Sequence, residues 1–150
     1  LASSAKVLDD APGNQIYLWR FLGTLAEKVK AKSNQFPGQV DSRAWKAVRS
    51  IREVDEYYTA PVHGFAGAAD YWARCSALPL LKDIRVPALL LSARDDPLLC
   101  GASYPQEEAK GSDHFHLEMP ETGGHVAFLG RQNWRSRRIA EFLHEAENRY

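Results

Sequence analysis

Two short segments of this sequence hold residue types that can move a proton. Ser92-Ala93-Arg94-Asp95-Asp96-Pro97-Leu98 puts two carboxylates directly after an apolar run. Glu121-Thr122-Gly123-Gly124-His125-Val126-Ala127-Phe128 puts a histidine after two glycines and before an apolar segment. A neutral imidazole can take a proton from a hydroxyl nucleophile and then hand it to a leaving group. A carboxylate on its other nitrogen fixes the tautomer and stabilises the imidazolium that forms. The glycines permit backbone conformations closed to residues with a Cβ, so the ring can be held tightly against another loop. Singly, the segments read equally well as a charged Asp-Pro turn and a histidine in a glycine turn. Together they hold what an acid–histidine pair needs, with Asp95 and Asp96 both open as the acid.

Such a pair serves a nucleophile, and the sequence holds no Gly-x-Ser-x-Gly elbow to carry one. Ser92 lacks flanking glycines, and Ser103 has Gly101 two residues before it but Pro105 two after. Ser76 and Cys100 have no elbow either, although Cys100 leaves a cysteine-based hydrolase as an outlying reading. His114 and His116 have the spacing to share one strand face, but no third metal ligand is evident, and no metal or other cofactor is expected. His144 is expected on the surface of the last helix, and Gly123-Gly124 lacks the Lys-Ser/Thr of a phosphate loop.

The elements that must position these groups follow from periodicity. From Asn14 to Lys32, the residues Ile16, Leu18, Phe21, Leu22, Leu25 and Val29 recur mostly at three- and four-residue spacing, predicting one amphipathic helix. Pro37-Gly38 predicts a turn over Ser33–Gln39, and a second helix is expected from Asp41 as N-cap through Ala44, Trp45, Val48 and Ile51. Glu53–Gly67 is aromatic and without clear period, and is expected as an ordered, packed loop. A third helix over Ala68–Cys75, burying Cys75, and a helical turn over Leu78–Lys82 follow. The apolar run Val86–Ala93 predicts a strand buried on both faces of a parallel sheet, and the alternating His114–Met119 a second strand nearer the edge. Tyr104–Gly111 should supply a short helix between them and Asn133–Asn148 a closing helix. An apolar strand such as Ala88–Leu91 needs strand neighbours and helices on both sides, and these residues supply too few strands for that.

Composition narrows the partners. Lys plus Arg equals Asp plus Glu, 19 against 19, which argues against nucleic acid or an anionic membrane surface. The Arg-rich stretch Arg131–Arg138 is expected to be a solvated helix face. Two cysteines give no disulfide framework, and no apolar run reaches transmembrane length; a cytoplasmic protein without an integral membrane segment is expected. The opening LASSAKVLDD does not read as a signal peptide and lacks an initiator Met, so a processed or partial chain is expected.

The runs IREVDEYYTAPVHGFAGAADYWARCSALPLL, IRVPALLLSARDDPLL and ETGGHVAFLG resemble the C-terminal half of the YheT-like α/β-hydrolases, relatives of the lipid-handling α/β-hydrolase-domain esterases. The resemblance spans about Asn14 to Phe142. It implies an α/β fold in which this chain holds the last two parallel strands of an eight-stranded sheet that is incomplete within it. Residues 1–77 would be a helical, cap-like region and 78–150 the C-terminal part of the core. It implies His125 as the triad histidine and selects Asp96 as the acid, with Asp95 as the alternative, while the serine, the oxyanion-hole amides and the other strands have no counterpart here. The stretch between Gly130 and Trp134 looks shorter than in bacterial relatives, which would alter the rim of the site.

The function so implied is carboxylic ester hydrolysis through a Ser-His-Asp triad, on small-molecule or lipid-like esters with apolar acyl groups. The N-terminal half would come from the same precursor or a companion chain. His63, Phe65 and Tyr58 would belong to the substrate pocket; an aromatic cap including Trp19, Phe21, Tyr57, Tyr71 and Trp72 would wall it, or would simply be the core of the cap. The alternative is a non-catalytic structural or binding fragment of a hydrolase-like fold.

Overall fold

The computed structural model describes residues 1–38, 40, 43–128 and 133–148. It divides into two compact units, Leu1–Ser76 and Ala77–Tyr150. The architecture is α/β: helices flank a two-stranded parallel sheet.

The first unit is helical. Helix α1 (Ala2–Asp10) is followed, after a 3-10 turn over Pro12–Asn14, by α2 (Gln15–Gln35). The periodicity predicts α2, but the helix runs further, so the expected turn shrinks toward Pro37-Gly38, with Gln39 outside the described residues. Leu18 and Val29 of α2 are buried, whereas Ile16 and Trp19 are 77% and 78% exposed.

The expected second helix is not one helix. A 3-10 turn spans Ala44–Ala47, the backbone extends at Val48 and Ser50, and helix restarts as α3 (Ile51–Val54). The expected cap Asp41 lies outside the described residues. Ser50 is the cap, its Oγ accepting the Glu53 amide at 3.1 Å, while the Glu53 carboxylate accepts the Arg49 amide at 2.6 Å. Asp9 of α1 takes the other free donors: its carboxylate oxygens accept the Ile51 and Arg52 amides at 2.6 and 3.1 Å. The restart is thus fixed by a residue far away in sequence.

The expected aromatic loop is helical over most of its length, and only 63–67 remain turn and bend. Helix α3 continues through a π-helical stretch, Asp55–Thr59, into α4 (Ala60–Val62). Pro61 has no amide hydrogen and its ring crowds the preceding turn, and the wider turn, with the Ala60 amide reaching Asp55 O, accommodates it. Helix α5 (Ala68–Arg74) closes the unit, matching its prediction. Trp72 is buried with Ala5 and Ala68. Its indole N–H donates to Asp55 at 2.7 Å, and the Glu56 carboxylate accepts the Ala68 amide at 2.8 Å. Cys75, expected to be buried, is exposed, lying just past the end of α5.

In the second unit, a 3-10 turn over Leu78–Asp83 leads to strand β1 (Ala88–Leu91). A crossover containing helix α6 (Gln106–Lys110) returns the chain to strand β2 (Phe115–Glu118), and α7 (Trp134–Glu147) follows. The strands pair parallel, Ala88 opposite Phe115 and Leu91 opposite Glu118. Single hydrogen bonds continue the ladder past the strands, from Ser92 N to Glu118 O at 3.1 Å and from Arg94 N to Pro120 O at 2.9 Å. Strand β1 is not buried on both faces as expected: Leu90 is 38% exposed, since β1 pairs with β2 alone among the described residues.

Helix α7 is tied down by Arg138, whose guanidinium donates to both Glu118 oxygens at 2.7–3.0 Å; His116 meets Phe142 edge-on at 5.5 Å. The Arg-rich stretch is therefore only partly a solvated face. Arg135 and Arg137 are exposed, Arg138 is a packed ion-pair residue, and Arg131 lies outside the described residues. No helix among the described residues is long and apolar enough to cross a membrane.

Candidate active site

Because β1 and β2 are parallel, the segments that leave their C-terminal ends emerge on one edge, where open α/β sheets gather binding and catalytic groups. After β1 the chain buries Ser92 and Ala93, exposes Arg94 and Asp95, and buries Asp96. The Asp96 side chain is 1% exposed. Its Oδ1 accepts the Leu98 amide at 2.8 Å, a local turn that fixes the carboxylate. Its Oδ2 lies 2.8 Å from His125 Nδ1. An ionised carboxylate is acceptor-only, so in that state Nδ1 carries the proton and Nε2 bears the free lone pair. The His125 side chain is 52% exposed, which leaves the ring's far edge accessible.

Asp95 points elsewhere. Its Oδ1 accepts the amides of both Gly123 and Gly124 at 2.8 Å each. The two neighbouring carboxylates thus divide between the ring of His125 and the backbone just before it.

The glycines answer to separate demands. Gly124 has φ +61°, which favours glycine. A Cβ on Gly123 would stand 2.3 Å from Phe128 Cδ1 and 2.9 Å from Ala93 Cβ. Phe128 is buried, packs on Trp134 at 5.5 Å, and donates its amide to Gly123 O at 2.8 Å. Arg135 of α7 donates to Val126 O. The histidine loop is therefore closed on itself and fastened to the following helix.

In the sequence Tyr104 is one tyrosine in a polar crossover with no pattern to mark it. Its hydroxyl donates to Ala93 O at 2.8 Å and so supports the turn carrying both carboxylates. Burial, and then the charges of Asp96, Asp95 and Cys100, push its pKa above the ordinary 10.0, with Arg94 opposing.

The remaining candidates make other contacts. Tyr58 and His63, with Lys32, Phe36, Val40, Pro61 and Val62, line a cleft of about 570 Å³ in the first unit. Phe65 is not among those lining residues; it packs against Tyr71 at 5.3 Å with the Arg74 guanidinium 4.8 Å over its ring. Cys100 Sγ lies 3.7 Å from Ser103 Oγ in the crossover. His114 falls just before β2, His116 packs on Phe142, and His144 is exposed on α7. Among the described residues, no group of three or more His, Cys, Asp or Glu side chains is arranged to hold a metal ion. The stretch expected to be shortened, between Gly130 and Trp134, falls largely on residues 129–132, outside the described residues.

No protein-family profile and no solved structure matches the chain. Curated proteins do. The chain is 34% identical over 137 residues, 87% of its length, to the candidate esterase YheT of Escherichia coli. It is 37% identical over 100 residues, 65% of its length, to a medium-chain fatty acid ethyl ester synthase/esterase of Saccharomyces cerevisiae. It is 32% identical over 121 residues, 80% of its length, to a phospholipase of Mus musculus. The matched region is 40%, 22% and 29% of those proteins' own lengths, so the chain spans well under half of each. Homology to these proteins along most of its length puts the chain in the α/β-hydrolase family.

Proposed function

We propose that this chain supplies the acid and the histidine of a serine carboxylic ester hydrolase whose nucleophile lies outside these residues. The observation that carries the reading is the 2.8 Å contact between His125 Nδ1 and the buried Asp96 carboxylate, beside strands of a parallel sheet. With Nδ1 held by Asp96, Nε2 takes the proton from a serine hydroxyl as it attacks the ester carbonyl. The imidazolium then gives that proton to the departing alcohol. Water, deprotonated by the same nitrogen, releases the acid from the acyl-enzyme. In this reading Asp96, not Asp95, is the acid, because Asp95 is engaged with Gly123 and Gly124.

Apolar or lipid-like acyl esters are the proposed substrates, in keeping with relatives named as a phospholipase, a fatty acid ethyl ester synthase/esterase and a monoacylglycerol lipase. The helical first unit is proposed as the cap, with Tyr58 and His63 lining a mixed polar and apolar cleft and Phe65 packing against Tyr71. Its partner in the reaction is the N-terminal part of the hydrolase, and its compartment the cytoplasm.

The test is labelling of the longer protein by a fluorophosphonate probe, alongside hydrolysis of short- and medium-chain p-nitrophenyl esters. Labelling of a serine outside this chain, lost together with turnover in His125→Ala, is the expected result. A protein that neither labels nor hydrolyses esters would leave a hydrolase-derived binding or structural module.

A further inference from the structure

The proposed acid–histidine pair uses one of two adjacent carboxylates, and the other makes the more unusual contact. Asp95 is exposed, yet a single oxygen, Oδ1, accepts two consecutive backbone amides, Gly123 and Gly124, both at 2.8 Å. Consecutive N–H groups that converge on one point form an anion-binding concavity. Here the bound anion is the chain's own side chain. Hydrogen bonds to an ionised carboxylate are roughly twice as strong as neutral ones, so this contact adds a strong tie between the two loops.

Its place in the chain gives it a purpose. Asp95 directly precedes Asp96, and Gly123-Gly124 directly precede His125. The two loops are therefore laced by three bonds in register: Asp95 to Gly123, Asp95 to Gly124, and Asp96 to His125. The first two act on backbone, the third on the ring. The histidine loop is also held by the packing of Gly123 under Phe128, by the Phe128 amide on Gly123 O, by Arg135 on Val126 O and by Arg94 on Glu121, but the Asp95 bonds are the ones that tie its two glycine amides to the carboxylate turn.

We infer that Asp95 is a positioning residue that clamps the Gly123-Gly124 backbone and thereby holds His125 Nδ1 on Asp96. The inference rests on the triad reading for its effect on turnover, but the clamp itself is a property of this chain. Its operative chemistry is acceptance of two hydrogen bonds, so an asparagine, which keeps an acceptor oxygen at the same place, should largely replace it. Alanine should not.

The experiment uses the longer, active protein with Asp95→Ala, Asp95→Asn and His125→Ala. Asp95→Ala is expected to lower kcat about 10- to 100-fold with KM within about twofold, the size of effect that loss of alignment produces. Asp95→Asn should restore kcat to within about threefold of the parent. In parallel, proton NMR follows the His125 Nδ1–H signal, expected in the parent and in Asp95→Asn and broadened or lost in Asp95→Ala. If Asp95→Ala does not fold, slow hydrogen exchange of the Gly123 and Gly124 amides in the parent still has to be seen, and fast exchange at both would overturn the clamp. Unchanged kcat and an unchanged Nδ1–H signal in Asp95→Ala would also overturn it. Equal loss in Asp95→Asn and Asp95→Ala would replace positioning by an effect of charge. Full activity in His125→Ala would instead sink the triad reading, while the NMR and exchange results would still decide the clamp.

Discussion

At the scale of single residues, the site depends on which atom each side chain presents. Asp96 is buried with both oxygens occupied, one by the Leu98 amide and one by His125. Asp96→Asn would keep the shape but offer the ring an amide in place of an acceptor carboxylate. In the proposed full hydrolase, kcat should fall about 10⁴-fold with little change in KM, the effect expected from loss of the correct tautomer. Gly123 is constrained by space. In Gly123→Ala the new methyl would meet Phe128 and Ala93, so urea unfolding should show a loss of about 1–3 kcal/mol. A smaller side chain at Phe128 should recover part of it. Tyr71 and Tyr104 both have pKa values raised above 10.0, chiefly by burial. Their neutral forms are favoured in the folded state, so this contribution is fully present below pH 10.0 and is lost as pH climbs through the raised values. Stability measured against pH should therefore fall on the alkaline side, and less steeply in Tyr104→Phe.

At the scale of elements, two tertiary contacts decide what local propensity leaves open. Helix α3 restarts where Ser50 and Asp9 satisfy its first amides. Ser50→Ala should cost about 1 kcal/mol in thermal or urea unfolding, and Asp9→Ala should act in the same direction. Helix α7 is held to β2 by the Arg138–Glu118 pair, whose guanidinium and carboxylate side chains are 18% and 32% exposed. Arg138→Ala leaves a half-buried carboxylate without its main partner, and a loss of about 1–3 kcal/mol is expected. A double-mutant cycle with Glu118→Gln would separate that pair from packing. A coupling near zero would mean that Phe142 and His116, and not the ion pair, hold the helix.

At the scale of the whole chain, surface composition is the main observation. Ile16, Trp19, Leu80 and Val86 are each more than 60% exposed, at 77%, 78%, 65% and 68%. A two-stranded sheet whose apolar strand β1 has a neighbour on one edge alone among the described residues is marginal by itself, and large apolar side chains in water favour association. The 150-residue chain alone should therefore bind a hydrophobic dye strongly and elute as mixed oligomers. Joined to the proposed N-terminal part of the hydrolase, it should do neither. A monomeric, dye-silent chain would show that these side chains need no cover.

The sequence by itself determined much of this protein. A period near 3.6 located α2 and α7, and short apolar runs bounded by turns located β1 and β2, because burial of one face leaves a periodic trace along the chain. The Asp95-Asp96 and Gly123–His125 segments were legible for a similar reason: charges and glycines stand out where a strand stops. Helical continuity through Tyr57 and Tyr58, the Ser50 break, the exposure of Cys75, the packing of Phe65 on Tyr71, and the anchoring by Tyr104 were not legible. Each rests on a partner remote in sequence or on a local geometry that composition does not encode. Which carboxylate faces the ring was likewise decided only in three dimensions. Two adjacent aspartates have the same chemistry and nearly the same place in the chain, and only the course of the backbone around the turn sends one to Nδ1 and the other to two amides.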